Sequence, residues 1–190
     1  MVPSREDILV HLRKQLCKLV VARSYIDAAL KACELFLSHV RETSDDLYLP
    51  LVNAIIICYA RPFTHNEPLG PLPDRWGRFE DPELQGAHRA LLDLRDWIAA
   101  HGDMHMQRIV IVPPDAPVGP SGVRSGCMGL IVEYFHLRME MFPKIRDACL
   151  DIGRRLDREV EQLLRTVLGD FGAPPGITVP NWLDVKGKEG

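Results

Sequence analysis

Residues 142–168 read FPKIRDACLDIGRRLDREVEQLLRTVL, and their apolar residues recur three or four positions apart. This spacing places the apolar residues along one side of an α-helix, while arginine and acidic residues fill the other sides. Each aliphatic side chain that such a stripe buries contributes about 1.5–3 kcal/mol to stability. The stretch therefore predicts a long amphipathic helix that Gly169 ends. Its stripe consists of Ile145, Cys149, Ile152, Leu156, Val160, Leu163 and Val167.

Three more helices are predicted before this one. Apolar residues recur at near-helical spacing over residues 8–40, which indicates a long first helix with a break near Ser24. The second helix, Tyr48–Tyr59, is apolar on nearly all sides, as expected of a central element. The third is predicted over Asp81–Ala100, because its first three residues are Asp-Pro-Glu, a strong helix start.

Two short apolar segments lie between the third and fourth helices. Gln107–Val112 is rich in β-branched residues, and Met128–Phe135 is apolar with aromatic residues near its end. The two segments predict a small two-stranded β-ribbon within an insertion that spans residues 105–136. The expected fold class is therefore mainly α: a four-helix bundle with a two-stranded β-ribbon between the third and fourth main helices.

The domain boundaries follow from the distribution of proline and glycine. Residues 1–170 are expected to form a single helical domain, and residues 171–190 are expected to form an extended C-terminal tail. Within the domain, residues 61–80 are rich in proline and glycine and also carry aromatic side chains that need burial or a partner. We expect this segment to be an ordered loop that packs against the bundle.

The composition restricts the classes of partner. A formal net charge of −3 in 190 residues argues against a protein coated in positive charge, so a nucleic acid would bind at a local patch. No apolar run approaches the roughly 20 residues needed to cross a bilayer, so we expect no membrane partner and a cytoplasmic location. The five cysteines are widely spaced and odd in number, which favours reduced thiols.

A second stretch, 91–105, reads LLDLRDWIAAHGDMH and concentrates polar residues at the end of the third helix. Arg95 and Asp96 lie within an otherwise apolar segment, and His101, Asp103 and His105 follow near a glycine. Because polar groups are costly to bury and helix ends are readily exposed, we expect chemistry or anion binding here. The structural alternative is an ion pair between Arg95 and an acid on a neighbouring helix.

Three residues elsewhere are candidates for binding a substrate. Asn53 is the polar exception in the apolar second helix, although its amide could equally bond to a neighbouring backbone. Arg61 opens the proline-rich loop and would supply local positive charge. His88 falls on or beside the buried stripe of the third helix, where a histidine is commonly a hydrogen-bonded core residue.

The segment Arg95-Asp96-Trp-Ile-Ala-Ala-His101 resembles the signature of the HEPN superfamily, in which an arginine and a polar residue precede a histidine by several positions. The sequences 59–63, YARPF, and 92–96, LDLRD, also look like the abortive-infection-type branch of that superfamily. The resemblance covers roughly the first hundred residues. It implies a HEPN-like four-helix bundle, commonly dimeric.

In function, the resemblance implies an endoribonuclease of toxin or defence type that needs no metal or other cofactor, or a non-catalytic RNA-binding module. His101 would then move the proton, Arg95 would hold the phosphate oxygens, and Asp96 would orient one of them. Asn53, Arg61, His88, Asp103 and His105 would contact the substrate. RNA, a second copy of the chain and a protein antitoxin are the expected partners, and DNA is not expected.

Two alternatives remain open from the sequence. His101, Asp103 and His105 would share one side of an extended segment and form a weak metal site. In the second alternative, the chain is a dimeric interaction module that binds its partner through its long loop, its ribbon and the tail around Trp182. The sequence contains no glycine-rich phosphate loop, no Cys-x-x-Cys pair and no nucleophile elbow, so the corresponding enzyme classes have no support.

Overall fold

The computed structural model describes residues 5–65, 68–100, 107–118, 123–124, 126–134 and 137–169. This part of the chain is mainly helical, as predicted, and its long helices pack into a helical bundle. The helices are α1 (Arg5–His39), α2 (Tyr48–Ala60), α3 (Pro82–Ala100) and α4 (Phe142–Gly169). Helix α1 packs against α2 and α4, and α3 packs against the same two helices.

Helices α1 and α4 form the largest contact of the bundle. The residues of α1 that are buried recur three and four apart, a spacing that keeps one stripe facing a partner helix. Phe36 stacks on Phe142 at the start of α4, and Arg23, earlier in α1, binds Asp157 farther along α4, so the two helices run antiparallel. The stripe passes Ser24 without interruption, and the expected break in α1 does not occur.

Helix α2 covers one side of the bundle. Val52, Ile55 and Tyr59 are buried against the other helices, but Leu49 and Ile57 are 41% and 48% exposed. Helix α2 was predicted to be a central element; it contacts both α1 and α3, but one side of it is exposed among the described residues. A uniformly apolar helix can still be half-exposed, because its composition does not report which side has a neighbour.

The start of α3 matches its sequence signal. The Asp81 carboxylate accepts a hydrogen bond from the Glu83 amide at 2.8 Å, and Pro82 occupies the first helical position. The acid shortly before α2, Asp45, does not cap that helix. The Asp45 carboxylate accepts bonds from the amides of Arg41 and Glu42, which closes the turn after α1, and no side chain caps α2.

In its described residues, the connection from α2 to α3 contains two 3₁₀ turns, Arg61–Phe63 and Asp74–Gly77. Leu72 and Trp76 from this connection belong to the core of the bundle. The Gln85 side chain of α3 holds it in place, accepting a bond from the Phe79 amide and donating one to the Gly77 carbonyl, both at 3.1 Å. Aromatic burial, rather than regular structure, thus orders the proline-rich segment.

The described residues between α3 and α4 include four short strands. Strand β1 (Gln107–Val112) pairs antiparallel with β4 (Gly129–Tyr134), with Gln107 opposite Tyr134. Strands β2 (Pro117–Val118) and β3 (Val123–Arg124) form a second antiparallel pair. Ile111 is exposed and Val112 is buried, the alternation expected of a strand with one covered side.

Removing the Ile152 side chain is expected to destabilise the bundle strongly. Ile152 is fully buried in α4, so Ile152→Ala should lower the free energy of unfolding by about 2–5 kcal/mol through lost burial and a residual cavity. Leu150→Ala is the matched control, because Leu150 is 40% exposed on the same helix and should cost much less. Urea titration of both variants measures the difference, and equal losses would contradict the packing of α4.

Candidate functional site

Arg95 and Asp96 lie together on the second half of α3. Arg95 Nη1 is 2.9 Å from Asp96 Oδ1, and the two side chains are 32% and 66% exposed. Among the residues that the structure describes, no acid of a neighbouring helix pairs with Arg95. A guanidinium has five N–H donors, so one bond to Asp96 leaves donors for a ligand. The structural alternative, an ion pair between helices, is therefore not what the structure shows.

The other residues of this stretch fall outside the described part of the chain. His101, Asp103 and His105 belong to residues 101–106, whose placement is not described. Their convergence with Arg95, and with one another, stays a prediction. Within the described residues, no group of three His, Cys, Asp or Glu side chains could hold a metal ion.

Asn53 lies on the outer side of α2, one helical turn from the exposed Leu49 on one side and Ile57 on the other. Its side chain is half-buried and makes no hydrogen bond within the described part of the chain. The expected alternative, a bond to a neighbouring backbone, is therefore absent there. Asn53 is instead a polar position within an apolar surface.

Arg61 is exposed where α2 gives way to the first 3₁₀ turn. Its guanidinium lies over the ring of Tyr25 on α1, 5.9 Å from the ring centroid. Arg61 also lines a cavity of about 120 Å³ together with Lys18. The sequence predicted Arg61 as a cationic binding residue, but it gave no sign that Lys18 would be beside it.

His88 is buried in the core rather than at a surface. Its Nδ1 is 3.0 Å from the Tyr59 hydroxyl, and the rings of Phe63 and Phe79 lie against the imidazole. A Cβ atom on Gly77 would lie 2.4 Å from His88 Nε2, so only glycine fits there. Phe63 and Phe79 of the connection cover His88, so it is not placed to contact a substrate directly.

The environment of His88 disfavours its charged form. Burial, and then the positive charges of Arg155 and Arg89, lower the His88 pKa from 6.5 to about 4. The imidazole is therefore neutral at neutral pH and cannot attract a phosphate as a cation would. Its hydrogen bond to Tyr59 is a bond between neutral groups in the core.

Arg155 on α4 is a central polar residue that the sequence did not single out. Its Nη2 donates to the Trp76 carbonyl at 3.0 Å and its Nη1 to the Arg78 carbonyl at 3.2 Å. Its Nε lies 2.9 Å from the Asp151 carboxylate, an ion pair in which the N–H is not aligned for a hydrogen bond. In sequence Arg155 is one of many arginines on α4, and nothing local distinguishes it.

Comparison of the chain with models of protein families, with curated proteins and with solved structures found no match. The assignment of function therefore depends on the geometry of the site and on the sequence motif. In the part of the chain that the structure describes, no helix combines the length and the apolar character that a membrane crossing demands.

His88 is expected to make folding sensitive to acid. In the unfolded chain it takes up a proton near pH 6.5, whereas in the folded protein its pKa is about 4. The unfolded state therefore binds the proton first, and the free energy of unfolding falls as the pH drops from about 6.5 to about 4, by at most about 3 kcal/mol.

Urea titrations across this pH range measure the effect. His88→Gln cannot take up the proton and should lose this part of the pH dependence, whatever its stability at neutral pH. His11→Gln removes an exposed histidine and should keep it. An unchanged pH dependence in His88→Gln would show that other groups cause the acid sensitivity.

Arg155→Met is expected to loosen the segment 74–79 while leaving the helices folded. The substitution keeps the aliphatic stem but removes the bonds to the Trp76 and Arg78 carbonyls. Hydrogen exchange at these residues should become faster. Arg154→Met is the matched control, because Arg154 is exposed and bonds only within α4. Equal exchange in the two variants would show that Arg155 does not hold the segment.

Proposed function

We propose that this protein is a HEPN-like RNA-binding protein that cleaves RNA without a metal, through Arg95 and His101. The single observation that supports the proposal best is the ion-pair partner of Arg95. It lies half-buried within a helical bundle, yet among the described residues its ion pair is with the adjacent Asp96 and not with another helix. An arginine that served only to join helices would be expected to pair across them.

The chemistry of these residues suits RNA cleavage by the ribose 2′-hydroxyl. Arg95 stays charged and holds the phosphate oxygens as negative charge develops in the transition state. Asp96 orients the guanidinium, in agreement with the 2.9 Å contact. His101 exchanges the proton, because an unperturbed imidazole titrates near neutral pH. No step in this mechanism requires a metal ion.

The spacing of the motif imposes a geometric condition. Six residues along an ideal helix advance about 9 Å and turn about 240°, so a continuous helix would not direct Arg95 and His101 to one phosphate. Either the chain turns back at Gly102, or a second copy completes the site across a two-fold axis. We favour a homodimer, which also explains the apolar surface of α2.

That apolar surface supports a second candidate function, a non-catalytic interaction module. Leu49 and Ile57 are large, exposed and separated by Asn53 on the same side of α2. Exposed apolar residues that cluster on one element are typical of surfaces that bind another protein. In this alternative the partner is a second copy or a protein antitoxin, and Arg95 has no catalytic role.

Release of labelled fragments from a mixed RNA pool tests the proposal. His101→Ala should abolish cleavage, and Arg95→Ala should lower the rate by about 10²-fold or more through lost stabilisation of the transition state. His11→Ala and Arg89→Ala, both on exposed helix positions, are the matched controls and should cleave normally. A chelator should change nothing.

Three results would contradict the proposal in different ways. Cleavage that survives His101→Ala would remove that histidine from the mechanism. Loss of activity with chelator would favour the metal site at His101, Asp103 and His105. Wild-type protein that neither cuts RNA nor binds it in a salt-dependent way would favour the interaction module. Circular dichroism of each variant must first show an intact helical fold.

A further inference from the structure

One side of α2 presents apolar side chains to solvent around a single polar residue. Leu49 and Ile57 are 41% and 48% exposed, and Asn53 lies midway between them, one helical turn from each. Residues four positions apart are neighbours on a helix surface, so these three side chains form one ridge, which we call the Asn53 ridge. Helix α2 itself, Tyr48–Ala60, contains no charged residue.

An exposed apolar residue on α4 has a different setting. Leu150 is 40% exposed, and Arg146 and Arg154 lie one turn away on either side of it within the same helix. A single apolar side chain among charges is an ordinary feature of a hydrated surface and needs no partner. Around α2 the charges lie only beyond the ends of the helix, for example at Asp46 and Arg61. The Asn53 ridge is therefore suited to contact with another surface.

The amide of Asn53 restricts what that surface is. The side chain is half-buried and makes no hydrogen bond to a described residue. An asparagine amide offers two N–H donors and a carbonyl acceptor. A purely apolar partner would bury these groups unpaired, at a cost of about 1–3 kcal/mol. A second Asn53 would supply both an acceptor and a donor in matching positions.

We propose that α2 pairs with α2 of a second copy of this chain, antiparallel, across a two-fold axis that passes at Asn53. The axis brings the two Asn53 amides together, and each donates to the carbonyl oxygen of the other. Because Leu49 and Ile57 lie four positions on either side of the axis, Leu49 of one copy packs against Ile57 of the other. The ridge is thus complementary to itself, as an isologous interface requires.

Charge favours the antiparallel arrangement. The turn before α2 contains Asp45 and Asp46, and Arg61 follows the helix. An antiparallel pair brings the acidic start of one helix near the basic end of the other, so their formal charges attract whatever else these groups contact. It also places opposite ends of the two helix dipoles together. A parallel pair would bring like charges and like dipole ends together.

The inference rests on the proposed function for the homodimer alone, because the contact itself requires neither RNA nor catalysis. It adds which helix forms the contact and which residue lies on the axis. A single pair of 13-residue helices is smaller than a standard protein interface. The dimer should therefore be weak and should dissociate on dilution through the micromolar range.

Disulfide cross-linking tests the position of the axis. Asn53→Cys should form a linked dimer under mild oxidation, because the axis places the two new thiols opposite each other. Leu49→Cys and Ile57→Cys should each link poorly alone, but their equimolar mixture should link well, a result that a parallel pair would not give. Gln162→Cys on the exposed side of α4 is the matched control and should link no more than wild type with its five native cysteines.

Light scattering over a concentration series measures the strength of the contact. Ile57→Asp should raise the dissociation constant of the dimer by at least about tenfold, because it places a charge within the apolar contact. Asn53→Asp has nearly the same shape but brings two carboxylates together at the axis, so it should also weaken the dimer. Leu150→Asp is the matched control and should leave the dimer unchanged. Thermal unfolding shows that each variant remains folded.

Several results would overturn the contact. These are a wild type that is monomeric at every concentration, Asn53→Cys that links no better than Gln162→Cys, and a dimer that survives both Ile57→Asp and Asn53→Asp. A monomer that Ile57→Asp destabilises would favour residues 171–190 of the same chain as the occupant of the ridge. RNA cleavage by such a monomer would leave the proposed function standing. Conversely, a protein that links at Asn53 but neither binds nor cuts RNA would overturn the function and not the contact.

Discussion

The apolar stripe of α4 must be removed from water, and α1 covers it along much of its length. Phe36 stacks on Phe142 with ring centroids 3.6 Å apart, and the Cys33 thiol donates to the Phe142 carbonyl at 3.3 Å. Burial raises the pKa of Cys33 to about 12, so this thiol stays protonated and behaves as a small apolar group. Helix α2 packs on α1 and helix α3 on α4, and both leave part of their own surface exposed.

The connection between α2 and α3 is held in place by contacts with the pair of helices α1 and α4. It has little regular structure of its own, so its backbone carbonyls need donors from elsewhere. Arg155 supplies them from α4 and also lies over the Phe79 ring, 5.1 Å from its centroid. The ordered connection in turn encloses His88. Burial of His88 is the main cause of its lowered pKa, and the charge of Arg155 adds to it.

The cations of this protein fall into two groups. Arg23 and Arg155 are paired with acids and join elements of the bundle, so their charges are used within the fold. Arg95 is paired only with its neighbour among the described residues, and Lys18 has no acidic partner among them. Charges of the second kind add little to packing, and they are the ones available to an anionic ligand. The proposed ribonuclease site uses one of them, Arg95.

The sequence by itself determined the local elements. The stripe of α4, the capped start of α3 at Asp81 and the mainly helical class could be read from residues within a few positions of each other, because helical periodicity and capping are short-range. The motif at Arg95 was likewise visible, although its partner His101 remains outside the described structure.

The tertiary structure alone decided which polar residues are structural and which are open to ligands. Arg155 and Trp76 are 79 positions apart, and no local pattern marks their contact. His88 could be read as a core residue or as a binding residue until Phe63 and Phe79 were seen to cover it. Lys18 looked like one of several solvated lysines until the connection placed Arg61 and Gly70 beside it. Burial and pairing depend on distant segments brought together, and sequence periodicity does not encode those distances.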